Sequence, residues 1–514
     1  MKKFIVILLG MLIGVGSLTA HAAEPSAYIK NTAIQETIER NSLWLGSSSM
    51  AGLAFFDYTS FNSLDFGYDG GYGEYRANGV GKNSSEISLN TKGAAYIGKT
   101  LAIGSFSFKN AFDKDALYNV LLYELEDNMP YYPIDDKSSD WNRQEYNLNA
   151  GLSSPVFWDC LALGIKFDYS AKVGAKQLDP RGETYKYSVS VQPSVALRLG
   201  VNILGFSAFY ANGFERSTVS VNNVWVDPKV WEHRGLGEST QNKVGGNDGM
   251  KAHTYRTYRY GGSLQYSLSD FFFVEAGLSH REVSGLENPK LPKRLGTIKE
   301  NDISLKADWL FGNNKSNKLA VNFEYIFTDG IEYVQKLNTA AYQQEWMVIS
   351  TNKMSTFTEL SAGLSYDHMF GADDPRGYTC KVGCESNFHI FDQSYLAPAS
   401  TSNAMRLYGG LFADRQFKMN KCSLIVGLDA GYASGLGSGY KCLGTKVYDA
   451  PKSMLEDQAD WLNASYLKAG GRIDLTMGES NKVAWVLGVK CVYMDAFAIN
   501  KSRLMCMASF GILF

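Results

Sequence analysis

Between Leu161 and Val173 the odd positions read Leu161, Leu163, Ile165, Phe167, Tyr169, Ala171 and Val173, while the even ones include Lys166, Asp168, Ser170 and Lys172. An apolar period of two gives one face to apolar surroundings and the other to water, and only a strand presents side chains that way. The pattern recurs at Tyr185–Val191, Ile303–Phe311, Leu319–Phe327 and Leu424–Tyr432. Segments of about ten residues with this alternation, repeated along a whole chain, are the signature of a transmembrane β-barrel. A soluble sandwich also alternates, but its strands are usually shorter and its loops less regular.

Connection lengths separate the two architectures. Short breaks fall near residues 98–100, 154–158, 198–200, 268–270, 312–317, 352–354, 417–420 and 477–480. Between them lie longer ones near 113–141, 173–183, 216–252, 285–298, 369–403 and 435–462, with shorter members near 81–85, 335–340 and 496–500. Short periplasmic turns alternating with long outer loops predict an antiparallel outer-membrane barrel with both termini in the periplasm. The count comes to roughly 18 strands, and 16 would also satisfy the even-number rule. The first strand is expected near Gly71–Gly79 and the twelfth near Tyr342–Thr351. The chain ends on the alternating set Leu504, Cys506, Ala508, Phe510, Ile512 and Phe514. A terminal Phe on such a strand resembles the signal read by the barrel assembly machinery, which is thereby an expected partner.

Lys2 and Lys3, the apolar run Phe4–Val15 and Ala20-His21-Ala22 form a secretory signal peptide over residues 1–22. Residues 23–70 lack the strand pattern and are expected as a periplasmic or lumenal plug segment, leaving 71–514 for the barrel. Within 23–70, Thr32–Arg40 has helical character, and Gly46-Ser47-Ser48-Ser49-Met50-Ala51-Gly52-Leu53 is a stretch of small residues. Beyond residue 23 no run approaches the roughly 20 apolar residues of a membrane helix. Tyr 31, Phe 28 and Gly 50 against only Pro 12 suit long sheets meeting a membrane interface. A formal net charge of −2 argues against a nucleic-acid partner.

Four stretches carry a resemblance: the small-residue run ending Ala51-Gly52-Leu53; Met129-Pro130-Tyr131-Tyr132; Ser139-Asp140-Trp141-Asn142-Arg143-Gln144; and Gly174-Ala175-Lys176-Gln177-Leu178-Asp179-Pro180-Arg181. Through them the chain resembles a Bacteroidetes family of outer-membrane β-barrel proteins of uncharacterised function. The resemblance implies a barrel in the Gram-negative outer membrane and brings no activity. The Ala-Gly-Leu stretch is also similar, over a short span, to the N-terminal region of fatty-acid-transporter-like barrels.

Residue chemistry points away from catalysis. His233, His253, His280, His368 and His389 are scattered, with no metal-ligand spacing, so no metal or other cofactor is expected. His280 and His368, expected near the outer ends of their strands, are the only modest rim candidates, and no nucleophile pairs with either. Cys160, Cys422, Cys491 and Cys506 read as small strand residues. Cys380, Cys384 and Cys442 are expected in two long outer loops, where export permits a Cys380–Cys384 bridge or one from either to Cys442.

The expected lumen mixes Lys92, Arg143, Lys166, Lys186, Arg259, Lys306, Arg406, Lys468 and Arg472 with Glu145, Asp168, Glu275, Asp308, Glu324, Glu359, Asp414, Asp429 and Asp474. That mixture suits a hydrated channel or a lumen closed by ion pairs rather than a single-sign filter. The leading expectation is passive transport of small or amphipathic solutes. A TonB-dependent transporter, with 22 strands and a separate plug domain, needs more chain. The alternatives are a binding or assembly barrel holding a surface lipoprotein or secretion component on the loops near 216–252 and 369–403, and a rim hydrolase.

Overall fold

The computed structural model describes residues 31–514 except 59, 122–128, 224, 226, 237, 245–248, 251, 289, 341–343, 444–447 and 480–482. The expected signal peptide, residues 1–22, and residues 23–30 lie outside the described residues. The first strands are β1 (Phe61–Gly73), β2 (Asn83–Ile97), β3 (Thr100–Ala116), β4 (Tyr131–Ile134), β5 (Ser139–Ser153), β6 (Leu161–Lys176) and β7 (Arg181–Leu199). Then come β8 (Asn202–Ser220), β9 (Val230–Arg234), β10 (Ser239–Asn242), β11 (Ala252–Leu268), β12 (Phe272–Glu287), β13 (Lys293–Phe311) and β14 (Asn317–Asn338). The last are β15 (Glu345–Phe370), β16 (Cys380–Tyr395), β17 (Ser400–Lys418), β18 (Cys422–Gly435), β19 (Gly439–Cys442), β20 (Tyr466–Met477), β21 (Ala484–Ala496) and β22 (Lys501–Leu513).

Without the short β4, β9, β10 and β19, eighteen strands pair antiparallel with their neighbours in a closed ring. β1 pairs with β22 from Ser63↔Leu513 to Gly73↔Arg503. The last residue joins the seam: Phe514 N–H donates to Asn62 O at 3.0 Å and Asn62 N–H to Phe514 O at 2.9 Å. Closure leaves no edge and satisfies the backbone within the bilayer, where water cannot. The alternation then sorts side chains as expected: Leu163, Ile165, Phe167 and Tyr169 stand exposed on the outer surface, and Lys166 and Asp168 face inward, where they pair. Turns 98–99, 200–201 and 419–421 share one end with the start of β1 and the end of β22, which identifies the periplasmic side.

Three boundaries differ from expectation. The barrel begins at Phe61, not near residue 71, because Leu64, Phe66, Tyr68 and Tyr72 already alternate with Ser63, Asp65, Gly67 and Asp69. The expected turn at 352–354 is the interior of β15, a strand of 26 residues. Register shifts opposite Gly330/Ile331 and Val334/Gln335 leave Met354 and Ile349 without register partners on β14, and such bulges reset the period of two in a way that imitates a turn. The expected outer loop 369–403 contains β16, whose outward Cys380, Gly-flanked Val382 and Ser386 make a weak apolar face. One strand is lost and one gained, so the count of eighteen stands, and β15 runs toward the periplasm instead of away from it.

Candidate functional site: the lumen and the segments at its two ends

Inward titratable groups pair across the wall, mostly on a diagonal or over a neighbouring strand rather than between register partners. Lys109 pairs with Glu86 at 3.0 Å, Lys172 with Glu145 at 3.0 Å, Arg259 with Asp302 at 3.1 Å, His389 with Glu359 at 2.8 Å and Lys468 with Asp429 at 3.3 Å. Half-exposed pairs of this kind leave a polar, nearly neutral surface facing water. Such a surface does not select by sign.

Residues 31–58 meet inward-facing side chains around most of the ring at its periplasmic end. The first of them form helix α1 (Thr32–Asn41), whose start is capped by Asn31 Oδ1 accepting from Ile34 N–H. Glu36 accepts from Arg472 Nη1 at 2.7 Å, Lys381 Nζ at 3.1 Å and Tyr378 OH at 3.0 Å. Burial alone would raise this carboxyl; the Arg472 hydrogen bond and the Lys381 and Arg472 charges outweigh it and hold it below the usual range. One turn on, Arg40 donates to Asp367 at 2.6 Å and to Lys315 O at 2.7 Å, while Glu39 accepts from Lys92 at 2.8 Å.

Beyond α1 the chain is pinned by aromatic packing and small side chains. Trp44 is 2 % exposed, meets Phe273 edge-on at 5.2 Å and donates from Nε1 to Ser267 Oγ at 2.9 Å. Ser48 N–H reaches Glu275 Oε1 at 3.2 Å, and its hydroxyl bonds the hydroxyls of Ser207 (2.8 Å) and Ser263 (2.5 Å) and the Glu275 carboxylate. A short 3-10 turn (Ala51–Phe55) follows, with Ala51 N–H donating to Ser194 Oγ at 3.2 Å and Phe55 O accepting from Arg198 at 2.5 Å. Close approach explains the small residues. A Cβ on Gly52 would sit 1.9 Å from the Trp44 ring, and one on the wall residue Gly164 only 2.4 Å from Ala51 N.

At the outer end the long loops fold across the mouth. β4, β9 and β10 form a small sheet beside helix α2 (Asp449–Asn463). Tyr131, Tyr132, Trp231, Met454 and Leu455 from these loops share one apolar cluster with the barrel residues Tyr255, Val283, Ile298 and Tyr395. Tyr255 OH donates to Tyr131 O at 3.0 Å, His253 shares a 2.8 Å hydrogen bond with Glu232, and Asn78 donates to Met454 O at 2.7 Å. His233, fully enclosed here, is pushed down to about 3 by burial and stays neutral.

The rim candidates do not converge. His280 lies midway along β12, its Nδ1 2.9 Å from Asn301 Oδ1; His368 lies at the periplasmic end of β15, 2.8 Å from Asn317 Oδ1. Both face outward, and the expectation that His368 sits at the outer rim is corrected by the reversed course of β15. The cysteine expectation is corrected too. Cys380 and Cys384 share β16, where four residues span about 13 Å, beyond the roughly 7 Å limit of a disulfide. Cys442 lies on β19, its Sγ accepting from Ser400 Oγ at 3.2 Å. The disulfide found joins Cys491 and Cys506, paired residues on the outward faces of β21 and β22. Every charge expected in the lumen that the structure pairs, from Lys166–Asp168 to Arg472–Asp414, does face inward. The targets of residues 31–58 were missed because uncharged wall positions such as Ser194, Ser263 and Ser267 look like any polar strand face.

A family model described as a family of unknown function, DUF6850, matches residues 50–514. No curated protein matches the chain. Among solved structures, BauA, the ferric preacinetobactin receptor from Acinetobacter baumannii, is similar at 10% identity, covering 88% of this chain and 80% of that one with a TM-score of 0.38. The unliganded ferric citrate transporter FecA is similar at 9% identity over 88% and 78%, TM-score 0.40, and the copper transporter OprC at 8% over 88% and 80%, TM-score 0.41. None of these likenesses bears on what this chain carries.

Proposed function

Because the chain belongs to the DUF6850 family, whose description carries no activity, and is an outer-membrane β-barrel, we propose its function from the lumen: a passive solute barrel held shut by its own residues 31–58. One observation carries the reading. That segment bonds inward-facing groups from Lys92 on β2 through Ser194, Ser263, Glu275 and Lys381 to Arg472 on β20, so it lies across an interior that a barrel of this strand number would otherwise leave open. The segment is a plug in this reading, and its displacement admits solute. The paired lumen charges favour small polar or zwitterionic solutes over ions of one sign. The short likeness of Ala51-Gly52-Leu53 to fatty-acid-transporter-like barrels motivates amphipathic solutes as the second class to test.

The folded outer loops favour a second reading, a binding barrel whose cap holds a surface lipoprotein. Further partners in either reading are outer-membrane lipid and the barrel assembly machinery, engaged through the strand that ends at Phe514. The reading assigns no catalytic step, no cofactor and no nucleic acid. Liposome swelling tests it: a variant lacking residues 31–58 should admit small sugars and zwitterions much faster than the full chain. Equal rates would overturn the plug. A stoichiometric lipoprotein retained through gentle detergent purification, with no flux from either protein, would favour the cap instead.

A further inference from the structure

We propose that Lys176 and Asp135 are joined by an isopeptide bond in the mature protein, a covalent strap between the outer end of β6 and the loop that follows β4. Lys176 is the last residue of β6, and Asp135 comes directly after Ile134, the last of β4. Their side chains are both 0 % exposed, and Lys176 Nζ is in direct contact with Asp135 Oδ2. The other described lysine–carboxylate pairs all keep some exposure, as with Lys318 and Asp308 at 20% and 3%. Asp135 Oδ1 is buried with no hydrogen-bond partner among the described residues. The surroundings are dry: Ile134 is 0% exposed, and Trp141, opposite Lys176 in the β5–β6 register, is 2% exposed.

An ion pair emptied of water on both sides loses more hydration than its attraction readily returns, the more so with one carboxylate oxygen unsatisfied. The same dryness favours neutral amine and neutral acid, which are the forms that condense. Burial pushes the Asp135 carboxyl up to about 6 despite the lysine beside it. In the reaction the Nζ lone pair adds to Cγ of the protonated carboxyl, the Nζ–Cγ bond forms and the Cγ–OH bond breaks. One Nζ proton leaves with that hydroxyl as water. No oxidant, reductant or co-reactant is consumed, and the product amide carries no charge. The strap bridges a sequence separation of 41 residues and ties β4, and through its pairing the short strand β9, to the outer end of the wall strand β6.

Mass spectrometry of protein purified from outer membranes tests this. After denaturation and digestion, the peptides containing residues 135 and 176 should appear as one linked species lighter than their sum by one water. K176R and D135A should each give separate peptides. D135N should lose ammonia in place of water and converge on the same linked species. Wild-type protein that yields the two peptides unlinked and at full mass overturns the proposal, whatever the variants do to folding.

Discussion

Replacing Trp44 with alanine probes the proposed plug, residues 31–58, where the segment is best packed. The indole is 2 % exposed, fills the space over Gly52 and beside Gly205, meets Phe273 at 5.2 Å and donates to Ser267. A buried Trp→Ala change costs about 3–5 kcal/mol. None of these contacts belongs to a wall strand's pairing, so the loss falls on docking of residues 31–58 and leaves the barrel assembled. At about 1.4 kcal/mol per tenfold, the released population should rise by roughly 10²- to 4 × 10³-fold. Trypsin reads this directly, because Arg40 lies within the segment and its side chain is only 7% exposed while docked. When opening is fast relative to cleavage, the rate of cutting follows the open population. Folded W44A barrels, verified by heat-modifiable migration, should be cut after Arg40 about 10² to 4 × 10³ times faster than wild type, with W44F in between. Cleavage of W44A at the wild-type rate would refute the docking energetics.

Docking should also depend on pH through Glu36. Its carboxyl is depressed when docked, from an ordinary value of 4.5, so its contribution is present above that value and is lost as pH falls through the docked value. Protection of residues 31–58 should therefore fall as pH drops below the ordinary 4.5, and E36Q should be weaker at neutral pH and flatter across that fall. Gly52→Ala would place a Cβ 1.9 Å from the Trp44 ring and should loosen the segment by about 1–3 kcal/mol, read by the same cleavage. Leu278, 64% exposed on the outward face, should tolerate arginine poorly, costing about 2–4 kcal/mol in refolding into lipid vesicles, whereas Ser279→Arg on the lumen side should cost far less. Equal penalties would contradict the assigned faces.

The wall was legible because a period of two is enforced by two solvents, lipid outside and water within. It failed where local geometry interrupts the period. The bulge at Met354 imitated a turn, and β16 hid because Ser386 and Gly383 dilute its faces. Those two errors also misplaced His368 and put Cys380 and Cys384 in a loop. The charged lumen was legible residue by residue, since a charge on an alternating strand has one face it can occupy at tolerable cost. The outer cap was not. Its apolar cluster gathers Met129, Trp231 and Met454 from three distant loops, and no periodicity marks residues that become buried only when loops meet. The small-residue run 46–53 announced close packing without saying against what; the answer, Gly164 and the serines of β7, β8 and β11, lies far along the chain.

The most direct test of the proposed closure of the lumen is a reversible lock. Ser48 and Ser263 hydroxyls lie 2.5 Å apart, so cysteines there fall within disulfide reach. In planar bilayers the oxidised S48C/S263C protein should pass no current at any voltage, and reductant should restore the current of the wild type, itself measured with and without reductant. Full current through protein whose Ser48→Cys to Ser263→Cys crosslink has been verified by mass would show that solute passes while residues 31–58 stay in place, and would contradict the account.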